Sequence, residues 1–273
     1  MAITDEEKLV IEAIGKCLEE PATLYRTFFE KRFGKILDKK HGDNWPFEMA
    51  EITAREILDR KDFCTNTDSK LIPEIPRKQS YYIRGHEKLA TLAKGNTPNK
   101  YYTEKLEAKR FYGRNLADIG KIIDFETPLK GKKTDKGVGK IDLLAYNEGK
   151  NPPVLTLLEY KVNDTPETLL RCVLEIYTYL NQVNKKRLAE DFSESPNEGF
   201  PISKFKVDKN SEVKAAVFVH KGSLPDKHFR MGENTHIRKL MRELQVGFVS
   251  IDAEFDGENL VKIESVKVKV EVV

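Results

Sequence analysis

The chain has 273 residues, 39% of them hydrophobic, which is enough for one α/β core and a smaller appendage. Its 47 Lys and Arg against 44 Asp and Glu leave a net charge of only +3, so a nucleic-acid partner must be sought in local basic clusters and not in the overall charge. Cys17, Cys64 and Cys172 form no CxxC pair, "MAITDEEK" is acidic where a signal peptide is basic, and no apolar run reaches spanning length; the expectation is a soluble, cytoplasmic protein without disulfide scaffold, structural zinc or membrane partner.

Residues 1–95 read as a mainly helical unit. Thr4 and Glu7 form a capping box, and Val10, Ala13, Ile14, Cys17 and Leu18 follow at helical spacing. A second helix is expected in "TLYRTFFEKRFGKIL" and a third in "HGDNWPFEMAEITAREILDR", with Pro46 in its first turn and Phe47, Ala50, Ala54, Ile57 and Leu58 on one face. A hairpin through "SYYI" would complete a winged-helix module; the alternative is a helical extension of the main core. Over residues 96–273, helices and strands alternate, the signature of an α/β sheet. In order they are a helix in "YYTEKLEAKRFYGRNLADIG", strands in "KIIDFETPL", "GKIDLLAYN" and "VLTLLEYKV", and a long helix from Thr165 and Pro166. A strand "VKAAVFVH", a helix "THIRKLMREL", a strand "VGFVSID" and a half-wet strand "VKVKVEVV" follow.

Within "LLEYKV", Glu159 and Lys161 share one strand face while Leu158 and Tyr160 share the other. Asp142 lies 17 residues earlier on the preceding strand, so a tight turn through "EGKNPP" puts the two carboxylates side by side. Both acids sit in runs of Ile, Leu and Val, where an unpaired charge costs several kcal/mol. Paired carboxylates in such a place repel unless a cation neutralises them, and a hard divalent ion such as Mg²⁺ or Mn²⁺ is the natural choice. The alternative is an exposed strand end where Glu159 and Lys161 pair with each other.

"GVGKIDLLAYN" followed by "LTLLEYKV" resembles the PD-(D/E)XK nuclease superfamily, whose restriction-endonuclease-like core is helix, three-strand meander, helix, strand. The resemblance covers roughly residues 100–255. It implies that Asp142, Glu159 and the carbonyl of Tyr160 hold the metal and that Lys161 serves catalysis, with Ile141 in place of the family's proline. A glutamate of the first helix joins them: Glu107 is the first choice and Glu104 the second. The family's Gln-xxx-Tyr pattern maps onto Glu175 and Tyr179. Basic residues for DNA are sought in "PLKGKKTDKGVGK", at Lys130, Lys132, Lys133, Lys136 and Lys140, and at Arg110 and Arg114 on the neighbouring helix. His220, His228 and His236, spaced by eight in a loop-like segment, match no zinc motif and are expected at the surface. Nothing resembles a GxSxG elbow or a Walker loop.

The resulting expectation is a mixed sheet flanked by helices, acting as a Mg²⁺-dependent endodeoxyribonuclease of a restriction, repair or defence type, alone, as a homodimer or with another subunit. The competing expectation is a catalytically silent module of the same fold that binds nucleic acid or a partner protein.

Overall fold

The computed structural model describes residues 5–17, 19, 22, 25, 45–60, 72–78, 81, 100–131, 139–194, 207–256 and 259–269. The expected second helix apart from Tyr25, the "SYYI" hairpin apart from Tyr81, and Lys132, Lys133 and Lys136 lie outside the described residues. In chain order the elements are α1 (Asp5–Cys17), α2 (Trp45–Asp59), α3 (Lys100–Phe111), β1 (Asn115–Leu116), β2 (Gly120–Pro128), β3 (Lys140–Asn147), β4 (Val154–Lys161), α4 (Leu169–Gln182), α5 (Lys185–Glu194), β5 (Glu212–His220), α6 (Leu224–Phe229), α7 (His236–Glu243), β6 (Val246–Asp256) and β7 (Asn259–Lys269). No helix among the described residues is long and apolar enough to cross a membrane.

The strands form one mixed sheet in the order β1 to β7. Strands β1 to β4 pair antiparallel, β4, β5 and β6 run parallel, and β7 returns antiparallel along β6. The two parallel steps need crossovers, supplied by α4 with α5 and by α6 with α7. Central strands read as near-continuous apolar runs because helices cover both faces. On one face Leu144, Leu155, Leu157, Val217 and Val219 pack with Leu170, Val173, Leu174 and Ile176 of α4. On the other, Leu143, Leu158, Tyr160 and Phe218 pack with Ala108 and Phe111 of α3. The Phe111 ring meets Tyr160 and Phe218 edge-on at 5.4 and 5.2 Å.

Three details differ from the sequence reading. α3 ends at Phe111, because Gly113 turns the chain at φ 79° and residues 115–116 join the sheet edge as β1. α4 starts at Leu169 with Thr168 as its cap, its hydroxyl accepting the Arg171 N–H at 3.4 Å, and Thr165 lies a turn earlier. The segment "LPDKHF" is helix α6 with Pro225 near its start, and it carries His228 into the interior. The surface reading of the histidines therefore fails for two of them: His228 is 0% exposed and His220 is buried at the end of β5, while only His236 is open to solvent.

Helix α2 packs into the α4-side core through Met49, Ala50, Ala54 and Ile57. Its Glu51 caps α7, accepting the N–H groups of His236 at 2.6 Å and Ile237 at 3.2 Å and meeting the His228 ring at 3.2 Å. Burial pushes the Glu51 carboxyl up, but the His228 ring and the two N–H donors outweigh it and leave the carboxyl below its usual range.

Candidate functional site

Strand register builds the site. Leu143 pairs with Leu158, so one further step sets Asp142 opposite Glu159. The Asp142 side chain leans over to accept the Tyr160 N–H at 3.0 Å. Glu159 and Lys161, two residues apart, face α4 together, with Glu159 Oε1 to Lys161 Nζ at 2.7 Å. Helix α4 begins beside them, and its approach brings Glu167 Oε2 to 3.2 Å from the same ammonium. Glu104 at the start of α3 reaches Lys161 from the sheet end at 3.5 Å. Arg171 lies one turn after Glu167 and one turn before Glu175, at 3.3 and 3.9 Å. Tyr179 donates to Glu175 Oε1 at 2.7 Å, and Tyr25 meets the Tyr179 ring edge-on at 5.8 Å.

This is a cluster of five carboxylates around Lys161 and Arg171, largely out of water: Glu159 is 2% and Lys161 5% exposed. Burial drives the carboxyls of Asp142 and Glu159 well above their usual range. Lys161 opposes that rise at both; Glu175 adds to it at both, Glu104 adds to it at Asp142, and the two acids reinforce each other at Glu159. Burial alone would lower the Lys161 ammonium, but Glu159, Asp142, Glu104 and Glu167 together hold it well above the usual lysine range. Glu159 Oε2 is buried without a hydrogen-bond partner, as are the Oε2 atoms of Glu167 and Glu175. An orphaned carboxylate oxygen in a negative cluster is the feature a cation would satisfy.

Glu107 does not join this cluster, which corrects the first choice for the helix glutamate. It lies on the other side of β4, where its Oε2 accepts the Tyr160 hydroxyl and meets His220 Nε2 at 3.2 Å. His220 Nε2 is also 2.8 Å from the Tyr160 oxygen. Glu104, one turn earlier, takes the place beside Lys161. Arg110 also belongs to the Tyr160 side, where its charge acts on that phenol. Arg114 lies beyond the end of α3, past the turn at Gly113. Lys140 and Lys105 converge on Glu126 Oε2 at 2.6 and 3.6 Å, and the Lys130 carbonyl accepts from Arg77 at 2.7 Å. The lysine-rich hairpin nonetheless starts at the site: a Cβ on Gly139 would fall 2.1 Å from the Tyr179 hydroxyl, so only glycine lets the strand pass that ring.

Glu167 and Arg171 are members that the motif does not mark. The four-residue spacing of Glu167, just before the α4 cap, from Arg171 and of Arg171 from Glu175 on the helix is the signal that finds them. Among the described residues, no three His, Cys, Asp or Glu side chains stand ready-made as a metal cage. The donor chemistry still fits a hard divalent ion, since Asp142 and Glu159 offer carboxylate oxygens and one of these is unsatisfied. Compared with known proteins, the chain matches no family model, no curated protein and no solved structure.

Proposed function

We propose that the chain is a divalent-cation-dependent nuclease that hydrolyses phosphodiester bonds within DNA, built on a restriction-endonuclease-like core. The observation that carries this is the buried excess of carboxylate around Lys161, with Glu159 Oε2 left unpartnered. Support comes also from the order helix α3, strands β2 to β4, helix α4, strand β5, which is the order that the resemblance implies.

In this reading Asp142, Glu159 and the Tyr160 carbonyl hold Mg²⁺ or Mn²⁺, which when bound polarises a phosphoryl oxygen and acidifies a water. Lys161 presents its ammonium to the charge that builds on the phosphoryl oxygens. Glu104 and Glu167 hold that ammonium at the end of β4. Arg171 keeps Glu167 and Glu175 from expelling one another, and the Tyr179 hydroxyl fixes Glu175. The basic residues of the β2–β3 hairpin serve as phosphate contacts with no sequence readout.

Incubation of supercoiled, linear and single-stranded DNA with Mg²⁺ or Mn²⁺ tests the reading, with EDTA as control. The expected result is cutting by the wild type, lost in Lys161→Ala and in Glu159→Gln. No cutting of any substrate, or equal cutting by Lys161→Ala, overturns it. One observation favours the silent binding module: Lys161 already neutralises Glu159 at 2.7 Å. Under that reading, thermal unfolding shows no shift with either cation.

A further inference from the structure

A cavity of about 320 Å³ opens on the α4 side of the sheet, walled by Phe229, Arg230, Glu233, Arg238, Phe248 and Ser250. Register fixes its distance from the cluster. Lys161 pairs with Val219 and Val219 with Ser250; Glu159 pairs with Val217 and Val217 with Phe248. Residues paired across strands share a face, and strands lie about 4.8 Å apart, so Ser250 and Phe248 sit about 10 Å from Lys161 and Glu159 in the same two rows. Both features stand level with the carboxyl ends of β4 and β5, the end of a parallel sheet where open α/β sheets place their ligands.

The two arginines of this cavity are held in place before any ligand arrives. Arg238 is 6% exposed and sits over the Phe229 ring at 3.8 Å, with Nη1 donating to the Phe229 carbonyl at 3.4 Å. Phe229 in turn stacks on Phe248 at 3.7 Å and 6°. Arg230 is half-exposed and donates through Nε to Asp226 Oδ2 at 2.8 Å, and Asp226 is itself anchored by the Gly222 N–H at 2.8 Å. Among the described residues the wall sets two guanidinium groups against the single carboxylate of Glu233. Oriented guanidinium forks match oxyanions by paired hydrogen bonds, and two of them favour a dianion over a singly charged diester. The stacked phenylalanines and the volume leave room for a group attached to that anion.

We propose that this cavity binds a phosphate monoester. Its two sources are a free nucleotide and the phosphorylated end of a nucleic-acid strand, and the second source rests on the nuclease reading, because it sets a strand end about 10 Å from Lys161. Titration calorimetry on the intact chain in EDTA tests it with thymidine, thymidine 5′-monophosphate, and a short oligonucleotide carrying either a 5′-phosphate or a 5′-hydroxyl. Expected are binding of the monophosphate without binding of thymidine, and a loss of about tenfold or more in Arg230→Gln. Arg230→Lys, which keeps the charge and loses the fork, should fall between, and unchanged thermal unfolding of both variants shows that they fold. A phosphate preference of the oligonucleotide that disappears in Arg230→Gln assigns the strand end; monophosphate binding without that preference assigns the free nucleotide. Equal affinity for thymidine and its monophosphate, or wild-type affinity in Arg230→Gln, overturns the proposal. Cleavage plays no part in these readings, so a chain that binds monoesters and never cuts refutes only the nuclease, and one that cuts but binds thymidine and its monophosphate equally refutes only this pocket.

Discussion

The two faces of β4 solve the burial of polar groups in opposite ways. Toward α3, Tyr160, Glu107 and His220 satisfy one another, and none of them leaves a buried polar atom without a partner. Toward α4, one residue to either side along the strand, Glu159 and Lys161 join a cluster in which carboxylates outnumber cations and Glu159 Oε2 stays without a hydrogen-bond partner. The first arrangement is closed and rigidifies the strand. The second keeps a standing electrostatic deficit, which is a poor way to stabilise a core and a good way to hold a positively charged guest.

That contrast breaks most visibly in activity. Lys161→Ala is expected to lower Mg²⁺-dependent DNA cleavage by roughly 10²–10⁴-fold, while Tyr160→Phe stays within a few-fold, as read from initial rates on plasmid. Without cation, Lys161→Ala should also lose about 3–5 kcal/mol in urea unfolding, since it strips Glu159 of its one close counter-charge. Cation binding supplies the next effect. At about a hundredfold excess over Kd, Mn²⁺ should stabilise the wild type by about 2.7 kcal/mol and Glu159→Gln by almost nothing. Tyr160→Phe should cost about 1–2 kcal/mol through its lost hydroxyl, yet keep the full Mn²⁺ shift; loss of that shift would show that the two faces are not separate.

The smallest effect lies away from both faces and tests acid behaviour. The Glu51 carboxyl is lowered from 4.5 in the folded chain, so the unfolded chain binds the extra proton first as pH falls. Its stabilisation is complete above the unfolded value and lost as pH drops through the folded one. Glu51→Gln should therefore unfold about 1 kcal/mol more easily at pH 7, with the difference from wild type closing as the pH falls below the usual glutamate range. A gap of constant size across that range would count against the charge as its origin.

Much of the α/β portion was legible because each signal was local. Alternation in "LLEYKV" gives the shared face of Glu159 and Lys161, and "EGKNPP" gives the register that sets Asp142 opposite Glu159. Glu104 and Glu107 are one helical turn apart, and which of them reaches Lys161 depends on how α3 crosses the end of the sheet, a tertiary fact absent from either residue's neighbourhood. His228 fails for a similar reason: "LPDKHF" is short and polar enough to read as loop, and only the socket made by Phe47 and Glu51 of α2 explains an imidazole with no exposure. The two-arginine cavity leaves no sequence signature, because Arg230 and Arg238 are assembled by the stacking of Phe229 on Phe248.

Glu51 also bears on how the protein can be dissected. A helix from the first 95 residues closes the amino end of α7, and its neighbours Met49, Ala50, Ala54 and Ile57 fill space beneath the sheet. A version trimmed to residues 96–273 would open a greasy socket and uncap α7 at once. Helix α2 thus behaves as a keystone, and grafting the sheet onto another binding module would require carrying it along.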